Sequence, residues 1–319
     1  MLLYKVELLQ LSYPQLRLQQ LPSEQTAAQV FDRYHDGYAY MPREANPWLE
    51  VVRPDGTRHY YNATGERILE RPYLSDLVGI MVEFHHHLLL KDLGKELLGY
   101  IGIAGLALLI TGILRWWPRH WSRRLLTIRW AWPWQRGFAA TLFQLHKVVG
   151  SVLFVPVLIG MITGVAIMYS AAVGSALTAL APHQQPQPVT EQQWLEVAPA
   201  QNWQQRFARA KQLLPEHQPQ LISLSNLSLR MTFPGEWHPN GRSHVQFNAE
   251  TGRVSSVYDL RYDSKGYQVS QMIFPVHVAA VGGLPWLMAV LLGGLALIIL
   301  PLSGIYFWCW RHYKKRCRL

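Results

Sequence analysis

Among the 13 histidines of this 319-residue chain, three stand in a repeated register with small hydroxyl-glycine pairs. His85 lies 27 residues before Gly112 of a Thr111-Gly112 pair, and His277 lies 27 residues before Gly304 of a Ser303-Gly304 pair. A shorter copy runs from His146 to Thr163-Gly164. Each pair sits in a long apolar run. Neutral imidazoles that face one another across a helical bundle are ligands for a metal ion or a haem iron. The elements required are therefore helices that hold each histidine at a fixed depth.

Composition supports such helices. Half of the residues (50%) are hydrophobic and 16% are charged, too apolar a mix for an ordinary soluble domain of this size. A mean hydropathy near zero adds that much of the chain is wet. Three stretches reach the roughly 20 apolar residues that cross a bilayer: 97–117, 148–180 and 284–310.

The net charge of +10 decides orientation rather than a nucleic-acid partner, because of where it sits. Arg115, Arg119, Arg123, Arg124, Arg129, Arg136 and Lys147 stand in 111–170 without an acid, and the tail adds Arg311, Lys314, Lys315, Arg316 and Arg318. The remaining 18 Lys and Arg are outnumbered by 20 acids. By the positive-inside rule the two basic segments are cytoplasmic. Residues 1–90 and 181–276 are then expected in the periplasm, and 118–142 with the C-terminus in the cytoplasm, of a bacterial inner membrane. Cys309 and Cys317 both fall at the end of the last span, so no disulfide framework is expected outside.

The expected order along the chain is as follows. A first exterior module (1–72) leads to a His-bearing segment with the first span (73–117), a basic loop (118–142) and the second span (143–180). A second exterior module (181–271), a His-bearing segment with the last span (272–310) and a basic tail (311–319) complete it. Each exterior module carries a hairpin signal, Asn62-Ala-Thr-Gly65 in one and Asn248-Ala-Glu-Thr-Gly252 in the other, between β-rich runs. A further strand and turn precede the first hairpin, at 48–56. In the second module 201–214 reads as an amphipathic helix, 221–233 as one alternating strand and 182–190 as a polar, Pro-rich linker. Residues 73–90 read as a helix interrupted at 91–96, and the last span has a matching break at Gly282-Gly283-Leu-Pro285.

Several residues carry a resemblance to the PepSY-associated transmembrane family, iron-regulated inner-membrane proteins that include ferric-siderophore reductases. They are Phe84-His85-His86-His87 with Thr111-Gly112 and Trp116-Trp117-Pro118-Arg119, Leu145-His146 with Gly150 and Thr163-Gly164, and Val276-His277 with Ser303-Gly304. The Thr-Gly hairpins are similar to PepSY modules. The fold class this implies is an α-helical membrane protein with two small α+β PepSY-like exterior modules. Three spans are visible where the family has four, so the resemblance leads one to expect a further span upstream of Met1. It also implies haem b held by histidines near both faces. Electrons would pass from an unnamed donor to a ferric siderophore or another periplasmic iron(III) acceptor.

His85 and His277 share the outer boundary and the same register, which makes them the expected axial pair, with His86 beside them as a candidate. His86 and His87 point roughly 100° and 200° away from His85 around a helix. His146 is expected at the inner boundary, on one side of an incomplete second haem. The bland alternatives are interfacial histidines that are merely wet or hydrogen-bonded, and small residues that serve only close helix packing. A non-enzymatic alternative is a membrane-anchored PepSY binding, regulatory or assembly factor. A proton- or cation-coupled transporter is disfavoured, because no carboxylate stands inside a span.

Overall fold

The computed structural model describes residues 5–17, 20–43, 46–118, 120 and 138–316. The basic stretch 121–137, Arg119 and Cys317 therefore lie outside the described residues. The chain divides into two compact units, Met1–Gly94 with Ser170–Pro275, and Lys95–Tyr169 with Val276–Leu319.

Before the first long apolar helix come α1 (Lys5–Ser12), α2 (Glu24–Phe31), β1 (Tyr38–Tyr40), β2 (Leu49–Val52), β3 (Arg58–Tyr61), β4 (Arg67–Arg71) and α3 (Leu77–His87). The apolar helices are α4 (Lys91–Trp116), α5 (Phe138–Val152) and α6 (Phe154–Met168). They are followed by α7 (Ser170–Leu180), α8 (Glu191–Leu195), α9 (Trp203–Leu213), β5 (Gln218–Ser223), β6 (Ser228–Thr232), β7 (Ser243–Phe247) and β8 (Val254–Tyr258). Last come α10 (Lys265–Ser270), α11 (Ile273–His277) and α12 (Gly283–Arg316).

The two expected exterior modules share one sheet. All eight strands run in the order β4-β3-β2-β1-β5-β6-β7-β8, and every pairing is antiparallel. The junction is β1 on β5, with Ala39 opposite Ile222 and both fully buried. On one face α2 and α9 lie together, with Phe31 edge-on to Trp203 at 5.9 Å and Asp32 Oδ1 accepting from the Trp203 N–H at 3.0 Å. Leu49, Val51, Ile222, Leu229 and Val245 fill the core beneath them. The opposite face of the first half is covered by α1 and α3 through a second cluster of Leu9, Leu16, Trp48, Tyr60 and Val78.

The hairpin turns stand where the sequence places them. Gly65 (φ +77°) and Gly252 (φ +66°) adopt the left-handed backbone that glycine alone enters without strain, and each hairpin is bulged at the residue before its turn. The expected single strand over 221–233 is instead a hairpin, β5 and β6, turned by Leu224 to Leu227 with Leu227 at φ +46°. The expected linker 182–190 is tied down. Gln187 exchanges two hydrogen bonds with the Asp259 backbone, accepting from its N–H at 2.8 Å and donating to its carbonyl at 3.2 Å.

In the second unit, α4 and the 283–310 part of α12 are each long and apolar enough to cross a membrane, and α5 with α6 makes a third span if the bent pair counts as one. The second span read as 143–180 is therefore not a single helix. It bends by 68° between Val152 and Phe154, where Pro156 has no N–H for the Val152 carbonyl and its ring crowds that oxygen. It ends at Met168, and α7 belongs to the sheet unit, packing its backbone at Leu177 against Gly266 of α10. The expected interruption at 91–96 also moves. Lys91 to Glu96 form the first turns of α4, and the chain breaks before them at Leu88 and Leu89, both with positive φ. A glycine stripe on α4 seats α6: side chains added at Gly99, Gly102 and Gly105 would collide with Tyr169, Val165 and Met161. Most of α4 is unburied by protein, as expected of a surface that lipid covers.

Candidate functional site

His277 ends α11, and its Nδ1 lies 3.0 Å from Thr163 Oγ1 in α6. A side chain at Gly164 would press on the His277 ring, at 3.3 Å from Cε1. His146 in α5 mirrors this, with Nδ1 at 2.6 Å from Ser303 Oγ in α12. The register counted along single spans is thus realised between spans. Each of these two histidines is met by the hydroxyl of a Ser/Thr-Gly pair on another helix, while the Thr111 hydroxyl turns to the Ala107 and Leu108 carbonyls of its own helix.

The hydroxyls fix the histidine tautomer. Thr163 Oγ1 lies 2.7 Å from the Ile159 carbonyl, and Ser303 Oγ lies 2.7 Å from the Ile299 carbonyl. A hydroxyl has one proton to give. Once it is donated to the carbonyl of residue i−4, the oxygen can only accept from the imidazole. With the hydroxyl proton so placed, Nδ1 of His146 and of His277 is the nitrogen that donates, and Nε2 is the unprotonated one. A metal-bound histidine is oriented in this way by the partner of its other nitrogen. Close packing also explains the small residues, and here packing and orientation are one contact. Ser303 stands 20 residues into α12, about 30 Å from its start at 1.5 Å per residue. The two anchored histidines therefore sit near opposite ends of a bilayer-thick bundle.

His85 and His86 occupy the last turn of α3, which Asp76 caps at its start and Leu88 closes in the left-handed conformation. Their rings are 5.5 Å apart. His87 lies 3.0 Å from Glu83 one turn earlier, so it is engaged within its own helix. His85 and His86 belong to the sheet unit and His277 to the membrane unit. Among the described residues, no group of three or more His, Cys, Asp or Glu side chains converges as metal ligands.

The sheet unit holds two recesses with charged residues in their walls that the sequence reading missed. One, of about 380 Å³, is lined by Arg230, Arg242, His244, Tyr258, Asp263 and Tyr267. Another, of about 290 Å³, includes Glu236, His238, Arg261, Lys265 and Gln268. Burial, then the charges of Arg242, Arg230 and Arg43, push His238 down to about 3, so it is neutral at pH 7. Burial raises Glu236 to about 7, and burial with the neighbouring Arg242 lowers Arg230 to about 10. The available signal was alternation: Arg230, Arg242 and His244 all fall out of phase with the core positions of their strands.

No curated protein sequence matches the chain. The profile described as PepSY-associated TM region matches residues 1–311, nearly the whole length, and the protein is a membrane protein belonging to that family.

Proposed function

We propose that the protein binds haem b in the bacterial inner membrane and passes electrons to a periplasmic iron(III) acceptor such as a ferric siderophore. The observation that carries this reading is the hydroxyl anchor on Nδ1 of His146 and His277, which holds each ring by the nitrogen that would not bind iron. His85 and His277 would hold one haem, with His86 as a further candidate, and His146 would be one ligand of a second. When bound, haem supplies a one-electron iron couple. The side chains supply the rest. Two strong nitrogen ligands leave no open position for oxygen, Thr163 and Ser303 hold the imidazole planes, and the apolar helices keep water out. Reduction would release the metal because siderophores hold Fe(II) far less tightly than Fe(III).

The test is an absorption spectrum of the detergent-purified protein, oxidised and dithionite-reduced, with haem counted per chain. The expected result is a Soret band and an α band that sharpens on reduction. Absence of the Soret band ends the haem reading. If His85→Ala and His277→Ala each leave the spectrum intact, the axial pairing is wrong. Ser303→Ala and Thr163→Val should lower haem retention while leaving the sheet unit folded.

A further inference from the structure

The second half of the sheet carries two arginines, Arg230 and Arg242, that form no ion pair among the described residues. Among the described residues, neither Arg230 nor Arg242 has an acidic oxygen within ion-pairing distance, whereas Arg58, Arg71 and Arg261 each do. Arg230 spends Nε and Nη2 on one acceptor, the Gly241 carbonyl, at 3.1 and 2.6 Å. Arg242 Nε is buried with no hydrogen-bond partner. The one carboxylate lining the recess, Asp263, is occupied: it accepts from the Tyr258 hydroxyl and from the Ser264 N–H. Two guanidinium groups are thus held beside each other with unspent donors, at the wall of an open recess of about 380 Å³. Glu236 is near enough to offset part of their charge, but it makes no ion pair with either. A buried donor left unmade costs about 1–3 kcal/mol, and like charges add to that cost.

The remaining walls suit an anion. His244 stacks on Tyr258 at 5.2 Å, and as a neutral imidazole it can give an N–H. Tyr267 brings a phenol from α10. Guanidinium forks match the paired oxygens of carboxylates and phosphates. We propose that this recess binds a small oxyanion with at least two oxygens, a carboxylate or phosphate group, through Arg242 and Arg230. Such a group reaches the site either on a free anion or on the headgroup of an anionic lipid. The proposal does not depend on haem, and its readouts do not involve haem.

The test uses the detergent-purified full chain. Citrate and inorganic phosphate are titrated calorimetrically at constant ionic strength, with sodium chloride as the control. Saturable binding of either anion is expected, weakened about tenfold or more in Arg242→Gln and unchanged in Arg253→Gln, a variant of an exposed arginine of the same half outside the recess. In case Arg242→Gln unfolds, the wild-type protein is also modified with phenylglyoxal and the labelled arginines are read by mass spectrometry. Protection of Arg242 over Arg253 by citrate or phosphate supports a free anion. Protection only on reconstitution into phosphatidylglycerol vesicles, and not phosphatidylcholine vesicles, supports a lipid headgroup. Equal labelling under all conditions, or binding that Arg242→Gln leaves unchanged, overturns the site.

Discussion

On the face turned away from α2 and α9, the two halves of the sheet put different chemistry at matched registers. In the first half Glu50 stands opposite Tyr60, and Val52 opposite Arg58. In the second, Ser228 stands opposite Gln246, and Arg230 opposite His244. Since both hairpins are bulged at the same place, Glu50 corresponds to Ser228 and Val52 to Arg230. One half has an acid under a cover of α1 and α3. The other has a cation at a recess. A shared strand plan therefore fixes the backbone while leaving one face free to be either core or site.

The largest effect expected from this contrast is at Glu50. Its carboxyl is 1% exposed, ion-paired with Arg58 and reached by the Tyr60 hydroxyl at 3.3 Å. Burial pushes its pKa up, but Lys5 and Arg58 pull it further down. Glu50→Gln strands several cations in an apolar setting and should cost about 3–5 kcal/mol, read as a lower apparent melting temperature of the first half. An unchanged melt would mean that this face is not a core.

Asp76 comes next. It accepts from Arg71 through two nitrogens, from the Tyr13 hydroxyl at 2.9 Å and from the Gly79 N–H at 2.8 Å, capping α3. Burial raises its pKa, and these donors outweigh burial to hold it at about 2 against 3.8. A depressed acid contributes stability above its unfolded pKa and loses it as pH falls through the folded one. Asp76→Asn should therefore cost about 2 kcal/mol at pH 7 and almost nothing at pH 2. A penalty that persists at pH 2 would assign it to packing rather than charge.

These pairs also explain what could be read from the chain. The turn glycines Gly65 and Gly252 and the first and last apolar runs are local signals, and their elements stand where expected, whereas the run over 143–180 is broken by Pro156 and ends early. The β1–β5 junction pairs Tyr40 with Leu221 across 181 positions through a three-residue strand, and such a contact leaves no periodicity. The β5–β6 turn has neither Gly nor Pro, so its Ser225-Asn226 pair was the only punctuation. The histidine register was legible as spacing. Its meaning, an imidazole on one span donating to a hydroxyl on another, needed the helices side by side.

Glu236 tests the second half. Its pKa is raised by burial from 4.5 to about 7. Stability from such an acid is fully present below pH 4.5 and is lost as pH rises through 7. Glu236→Gln should raise the stability at pH 8 by on the order of 1–2 kcal/mol, read as a higher melting temperature, and leave it unchanged at pH 4.5. A loss at pH 8 would show instead that the ionised carboxylate supports Arg230 and Arg242.

The smallest expected effect is the sharpest test of the comparison. Among the described residues Arg242 makes no ion pair, and its buried Nε lacks a hydrogen-bond partner beside a second guanidinium. If the recess is held open for a ligand, the arginine does not stabilise the unliganded fold. Arg242→Met keeps the aliphatic stem, removes the repulsion and should shift stability by less than about 1 kcal/mol, toward a gain. Arg58→Met, which orphans buried Glu50, should cost about 3 kcal/mol or more. Adding citrate or phosphate should raise the wild-type melting temperature and not that of Arg242→Met, because a ligand stabilises only the state that binds it. Equal losses from Arg58→Met and Arg242→Met would make both faces structural and remove the distinction between core and site.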